Sequence, residues 1–360
     1  MSPLNPWFGF IAASIAAGRG AFDVMAHLVE TPVLKAARSA DHQRAWASPH
    51  TVRRELTTMR VLDFSNGQPG ATAIIVAPFA LHAATTGDFA QSHSVVEALL
   101  NNGVTRLVLT DWRSAGSADR FLSIDSYLAD LNVLVDDVGV PAALVGLCQG
   151  GWLATAYAAR FPAKVSRLTL AGAPIDIEGG HSAIADIIKL TTSETIRELV
   201  ALGDGLLLGQ VMMAMWPGAH TSPNDVAEIL QLENRKHRSA RLELHERFTH
   251  WNDDLIDLPG VFYLQTSEWI FRENRLAKGT FVALGERINL KDIHCPLYLL
   301  AAKQDEIIDP AQLLALASLV STPSGLVETQ IVPGRHLSLF MGQRILERQW
   351  PGIGRFLATQ

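Results

Sequence analysis

From about residue 55 onward, short unbroken apolar runs alternate with longer stretches in which apolar residues recur every three or four positions. RVLDF at 60–64, ATAIIVAP at 71–78, TRLVLTDW at 105–112, AALVGLC at 142–148 and SRLTLAGAP at 166–174 carry the first pattern and predict strands. QSHSVVEALLNNG at 91–103, SIDSYLADLNVLVDDVG at 123–139 and GGWLATAYAARFP at 150–162 carry the second and predict helices. A strand covered by helices on both faces has no polar side, so it reads as one continuous apolar run. The alternation therefore predicts an α/β fold built on a doubly wound, mostly parallel sheet.

After Pro174 the alternation stops. It resumes with CPLYLLAA at 295–302 and LVETQIVPG at 326–334, followed by a last helix at 342–358. The block at 177–290 is rich in helix formers, Trp and Met, and predicts a helical cap inserted between late strands, over the carboxyl ends where open α/β sheets bind ligands. The expected organisation is a catalytic core from 55–176 and 291–360, a cap or lid at 177–290, and an N-terminal hydrophobic segment at 1–54. Within that segment, residues 7–30 predict a helix that packs on the body of the protein or rests on an apolar surface. The run WFGFIAASIAA at 7–17 is too short to span a bilayer, and no basic residue precedes Arg19, so the positive flank of a secretory signal is missing.

Composition narrows the picture further. With 48% hydrophobic and 18% charged residues the chain can bury a large core, and a net charge of −6 leaves no basic excess for nucleic acid. The two cysteines, Cys148 and Cys295, lie in segments of different character, which implies no disulfide framework and fits a reducing, cytoplasmic setting. No motif asks for a metal or a bound cofactor. His245 and His250 in LHERFTH do not have the H-E-x-x-H spacing, and the GRG at 18–20 follows no strand.

The informative site is where the apolar run at 142–148 breaks into glycines. Gly146-Leu147-Cys148-Gln149-Gly150 has the form of a nucleophile elbow with Cys in the nucleophile position. A strained strand-to-helix turn needs small flanking residues, and Gly146, Gly150 and Gly151 supply them. The plain alternative is a small buried cysteine at an ordinary turn. Two further residues favour the elbow: Asp305, just past the strand of LYLLAAKQDEIIDPAQ, and His336 in IVPGRHLSLFMG. Nucleophile, acid and histidine in that chain order, each after a strand, is the arrangement of α/β-hydrolases. Asp309 precedes Pro310 and reads as a helix N-cap, whereas Glu306 is not separated from Asp305 by spacing. In the expected chemistry His336 takes the thiol proton, Cys148 attacks an acyl carbonyl, and Asp305 orients the imidazole. The oxyanion donors would be the N–H of Gln149 and one near Phe79 or Ala80, after the strand at 71–78.

Weaker candidates surround this set. His82 lines the pocket on one reading and is structural or solvated on another. Trp251, Phe262, Tyr263, Trp269 and Phe271 either line a tunnel or form the cap's own core, the commoner outcome for such a group. Trp251, Asn252 and Asp253 are candidates for substrate contact, and Cys295 reads as structural.

These residues resemble the cysteine-nucleophile α/β-hydrolases of polyhydroxyalkanoate metabolism. The GLCQGG box, WNDD followed by IDLPG at 256–260, and KDIHCPLYLLAAKQDEI resemble the polyhydroxyalkanoate synthases, whose catalytic Cys, Asp and His fall on Cys148, Asp305 and His336. VAPFALHAAT, LTDWRSA, FLSIDSYL, LTLAGAPID, FYLQTSEWIFRENRLAKGT and the closing RHLSLFMG and WPGIGRFL resemble the intracellular poly(3-hydroxybutyrate) depolymerases, from about residue 71 onward. Those depolymerases have Cys-Gln-Pro or similar where this chain has Cys148-Gln149-Gly150-Gly151, so the box is synthase-like. The aromatic and basic stretch that synthases carry between the first sheet strands is not evident at 76–90, and about 60 residues precede the first strand, too few for the N-terminal domain of the long synthase classes.

The resemblance implies a cytoplasmic acyl-transfer enzyme acting on a polyester or a hydroxyacyl thioester at a granule surface. Coenzyme A enters as acceptor or as part of the substrate, with a homo-oligomer or a second subunit as partner. The favoured expectation is a depolymerase that releases acyl groups from Cys148 to water or coenzyme A, because that resemblance covers more of the cap. The alternative is a synthase polymerising 3-hydroxyacyl-coenzyme A. A general esterase or thioesterase and a non-catalytic granule-binding protein stand behind both.

Overall fold

A computed structural model of the protein describes residues 44–79, 81–182, 186–187, 191–215, 222–232 and 238–359. Its eight-stranded sheet comprises β1 (Thr51–Glu55), β2 (Met59–Asp63), β3 (Ala71–Val76), β4 (Val104–Trp112), β5 (Ala142–Leu147), β6 (Val165–Ala171), β7 (Leu297–Ala302) and β8 (Val327–Val332). They lie in the order β1-β2-β4-β3-β5-β6-β7-β8. The first two pairings are antiparallel and the rest parallel. The strands with continuous apolar runs, β5 and β7, are buried along their whole length. The edge strand β1 is exposed at every position and carries no alternation, so no apolar run marks it in the sequence and the sheet starts at Thr51, ahead of the first predicted strand. The hydrophobic run expected to be helical at 7–30 lies outside the described residues.

The chain passes from β3 outward to β4 and then back across β3 to β5. That reversal opens a crevice between the carboxyl ends of β3 and β5, where a doubly wound sheet places its ligand. The core helices α1 (Val95–Leu100), α2 (Ile124–Val138) and α3 (Gln149–Arg160) follow β3, β4 and β5. Helix α1 is shorter than the pattern at 91–103 suggests. A small hairpin, Asp88–Ala90 against His93–Ser94, takes its first residues, and the Ser94 side chain then caps the helix by accepting from Glu97 N–H.

The block at 177–290 carries α4 (Ser193–Leu202), α5 (Gly209–Met215), α6 (Pro223–Ile229), α7 (Arg238–Asp253) and α8 (Gly260–Gln265), the last running into a π-helical turn at Thr266–Arg272. It is fastened to the core through backbone. Ala83 N–H donates to Asp254 O at 3.2 Å, Ile256 N–H to Leu81 O at 2.9 Å, and Ala115 N–H to Asp257 O at 2.9 Å. Beyond β7 come α9 (Pro310–Leu314), α10 (Ser338–Met341), α11 (Gln343–Arg348) and α12 (Trp350–Ala358), so the expected last helix is broken at Gln349.

Phe79, three residues past β3, is fully buried where core and cap meet. Its ring makes edge contacts with Trp112, Tyr127, Trp152 and Phe262 at centroid distances of 6.0, 6.1, 5.6 and 5.0 Å. Trp112 in turn donates its indole N–H to Ala77 O at 2.7 Å. One ring from each of four elements thus clamps the loop after β3. Phe79→Ala should destabilise the protein by about 3–5 kcal/mol through loss of these contacts and the cavity left behind. Urea unfolding measures this; a loss below about 1 kcal/mol would show that the ring does not hold the loop.

Candidate active site

Cys148 follows the last residue of β5 and precedes the first residue of α3, with φ 49° and ψ −123°. A side chain in this left-handed region is strained, and the surroundings impose it. Cys148 N–H donates to Ala171 O, the last residue of β6, at 2.9 Å, and Gly151 N–H closes the turn on Cys148 O at 2.9 Å. The flanking glycines are required by contact distance. A Cβ on Gly150 would fall 2.1 Å from Val76 O, one on Gly146 2.5 Å from Gly151 Cα, and one on Gly151 2.3 Å from the Ala173 Cβ. Helix α3 consequently starts against the end of β3, and Cys148 is left half-buried at the crevice and in no disulfide.

His336 and Asp305 arrive from the ends of β8 and β7. The His336 Nδ1 lies 2.8 Å from Asp305 Oδ2 and 3.0 Å from Oδ1, and both side chains are almost wholly buried. Asp305 is itself fixed, since its Oδ1 accepts from Ile307 N–H at 2.9 Å and Ile308 N–H at 2.8 Å. Burial disfavours a charged ring, but the Asp305 carboxylate and the Cys148 sulphur, each also hydrogen-bonded to the imidazole, outweigh it and hold the His336 pKa well above 6.5. The structure thus brings together the three residues singled out in the sequence.

It also separates the three acids. Glu306 Oε2 accepts the backbone N–H of His336 at 3.1 Å and does not serve the ring. Asp309 caps α9 by accepting from Ala311 N–H at 2.8 Å. Gly172, which sequence reasoning passed over, lies beside the imidazole with φ 55°, and a Cβ there would sit 3.0 Å from His336 Cε1. The glycine within LAGAP at the end of β6 was the available signal.

Of the expected oxyanion donors, Gln149 is the first residue of α3, so its N–H has no carbonyl of that helix to reach. Phe79 lies on the loop whose carbonyls touch Gly150, and its ring belongs to the core. Ala80 lies outside the described residues.

His82, Trp251 and Asn252 meet where that loop joins the cap. The His82 ring stacks on Trp251 at 4.2 Å and is hydrogen-bonded to Asn252, yet burial pushes its pKa down to about 4, so it is neutral at pH 7. Its buried Nε2 has no hydrogen-bond partner. Trp251 is 5% exposed and donates to Thr86 Oγ1 at 3.1 Å, and Phe262 stacks on Tyr127 at 4.0 Å. These two rings are cap-to-core packing, while Tyr263 and Trp269 are half-buried. Burial pushes the thiol of half-buried Cys295 up to about 11, which suits an inert cysteine. Among the described residues no group of three or more His, Cys, Asp or Glu is placed to hold a metal, and no helix is long and apolar enough to cross a membrane.

A nucleophile-elbow geometry at the switch point of such a sheet defines an α/β-hydrolase, and a family model for the alpha/beta hydrolase fold matches residues 78–343. The chain belongs to that family. Its curated relatives include the poly(3-hydroxyalkanoate) polymerase subunit PhaC of Allochromatium vinosum, 26% identical over 277 residues that cover 75% of this chain and 76% of the relative. The polymerase subunit of the same name from Synechocystis sp. is 28% identical over 290 residues, covering 76% and 74%. The resemblance to the polyhydroxyalkanoate α/β-hydrolases is thus matched by relatives of that kind. Among solved structures, the monoacylglycerol lipase of Paleococcus ferrophilus superposes with a TM-score of 0.55 over 83% of this chain and 98% of its own, at 16% identity, a likeness of fold.

Because the folded state raises the His336 pKa above the unfolded value of about 6.5, protonation of this ring stabilises the fold. That contribution is fully present below about pH 6.5 and fades as pH rises through the folded-state value. Asp305→Asn removes its main source, so the deficit in thermal midpoint relative to the wild type should be largest near pH 6 and narrow as the pH rises through the folded-state value. A deficit independent of pH would show that Asp305 does not govern the charge of His336.

Proposed function

We propose that this chain is a polyhydroxyalkanoate synthase that polymerises 3-hydroxyacyl-coenzyme A through an acyl-cysteine at Cys148. The observation that carries the reading is the Gly146–Gly151 elbow, in which Cys148 and Gln149 precede two glycines with no room for a Cβ, in a chain whose relatives include polymerase subunits. The depolymerising direction rests on the stretches of the cap and loops that resemble depolymerases, and the relatives support the polymerising one better.

In the proposed cycle His336 takes the proton of the Cys148 thiol, and the thiolate attacks the thioester carbonyl of the substrate. The oxyanion is held by the N–H of Gln149 and by one from the loop at Phe79 and Ala80. The carbon–sulphur bond to coenzyme A breaks, the proton on His336 leaves with the coenzyme A thiol, and the acyl group remains on Cys148. One thioester replaces another, so this half-reaction is close to balanced, which a serine ester would not be. In the second half His336 takes the proton of a hydroxyl at the end of the growing chain, whose oxygen attacks the acyl-cysteine. An ester forms, the thiol is restored, and the reaction runs downhill. Asp305 holds the imidazole in the required tautomer and supports its charge throughout.

Coenzyme A is on this reading part of the substrate and a leaving group. His82, with its buried unpartnered Nε2, and Asn252 beside it are the proposed substrate contacts next to the loop, and Trp251 is the wall behind them. The enzyme would work at a granule surface, alone as a homo-oligomer or with a second subunit.

Incubation with 3-hydroxybutyryl-coenzyme A should release coenzyme A and leave one 3-hydroxybutyryl group on the Cys148 peptide, read by mass spectrometry, with insoluble polyester as the final product. Cys148→Ala should abolish the adduct and the release, and Cys148→Ser should retain a small residue of turnover because the elbow survives with a weaker nucleophile. Asp305→Asn should cost about 10⁴-fold in rate. Release of hydroxy acids from amorphous poly(3-hydroxybutyrate) granules, with no polymer made from the thioester, would establish the depolymerase instead.

A further inference from the structure

Gln231, one residue past the Leu230 that caps α6, has φ 52° and occupies the left-handed position of a helix-terminating turn. Leu232 N–H donates to Ala227 O at 3.0 Å and Gln231 N–H to Glu228 O at 3.0 Å, the paired bonds of the motif in which glycine normally fills this place. A glutamine with a strained backbone, where glycine would cost nothing, calls for a role for its side chain. The side chain has one. Its Nε2 donates to Pro333 O at 3.3 Å, and its Oε1 accepts from Ile345 N–H at 3.1 Å. The amide fills a slot between two glycines, since a Cβ on Gly334 would lie 3.1 Å from Nε2 and one on Gly342 would lie 2.9 Å from Oε1.

Gly334 and Gly342 bracket the loop that carries His336. The same cap segment reaches that loop twice more, through Gln343 N–H donating to Leu230 O at 3.1 Å and through Asp225, which pairs with Arg335 at 3.4 Å. From the core side the loop is held by Gln304, whose Oε1 accepts Gly334 N–H at 2.8 Å, and by Glu306. We infer that Gln231 is a positioning residue through which the cap fixes the His336 loop, so that the segment around α6 is a fixed part of the catalytic frame and not a lid that lifts away. A flexible attachment would leave Asp305 as the main restraint on the imidazole. The amide wedge adds a restraint on the backbone that delivers it.

The inference rests on the reading of His336 as the base that activates Cys148, and the test separates the two. Iodoacetamide alkylation at pH 7 is followed on the Cys148 peptide by mass spectrometry, in full-length wild type, His336→Gln, Gln231→Gly and Gln231→Glu. His336→Gln should slow alkylation at least tenfold or so, which establishes activation by the imidazole. Gln231→Gly should slow it about threefold or more without lowering the thermal midpoint, because glycine relieves the left-handed strain as it removes the wedge. A merely structural role would move the thermal midpoint and leave the alkylation rate alone. Gln231→Glu keeps the acceptor for Ile345 N–H and loses the donor to Pro333 O, so its rate should fall between those of the wild type and Gln231→Gly. Wild-type rates in both Gln231 variants, with His336→Gln slow, overturn the inference and leave the reading of the base intact. Equal rates in all four proteins overturn that reading.

Discussion

The contact between the start of α3 and the end of β3 is the constraint on which the rest of the site depends. With 2.1 Å between Val76 O and any Cβ at residue 150, only glycine lets the helix begin there. That approach forces the turn at Cys148 into a left-handed backbone and leaves its side chain at the crevice. The strain is localised, and parallel pairing of β5 with β3 on one side and β6 on the other keeps it from relaxing. The aromatic clamp around Phe79 serves the same end from the other direction, because it fixes the loop against which α3 rests.

Electrostatics then assigns roles to groups that the backbone has only placed. Burial ordinarily keeps an imidazole neutral, and His82 shows this, its pKa pushed down to about 4 with no carboxylate bonded to it. His336 is the more deeply buried of the two yet shifts the other way, because Asp305 sits 2.8 Å from its Nδ1 and the Cys148 sulphur is also hydrogen-bonded to the ring. Two histidines in one protein are thus pushed in opposite directions, His336 by its charged partners and His82 by burial without one. The cap contributes to this arrangement as well, since its α6 segment grips the loop that carries His336.

Much of this was legible in the chain. The sheet strands from β2 to β8, the inserted cap, the elbow and the order Cys148, Asp305, His336 all follow from periodicities and small-residue patterns a few positions long. The first strand was not legible, because an edge strand exposed on both faces has no apolar signature. The pattern at 91–103 overstates helix α1 because the hairpin at Asp88–Ser94 depends on pairing, which leaves no periodic trace. Glu306 and Asp305 are chemically alike and adjacent, so nothing local separates them; the turn at 305–308 points one at the imidazole and the other at the backbone of residue 336.

The sequence by itself determined which elements form and which chemical groups stand at their ends, because strand and helix periods and the steric demand for glycine act over a few residues. Only the tertiary structure decided which carboxylate meets which histidine, that His82 is neutral against Trp251, and that Gln231 reaches across 102 positions of chain to Pro333. Those outcomes turn on distances of about 3 Å between residues far apart in sequence, and such distances exist only once the sheet has closed and the cap has docked on it.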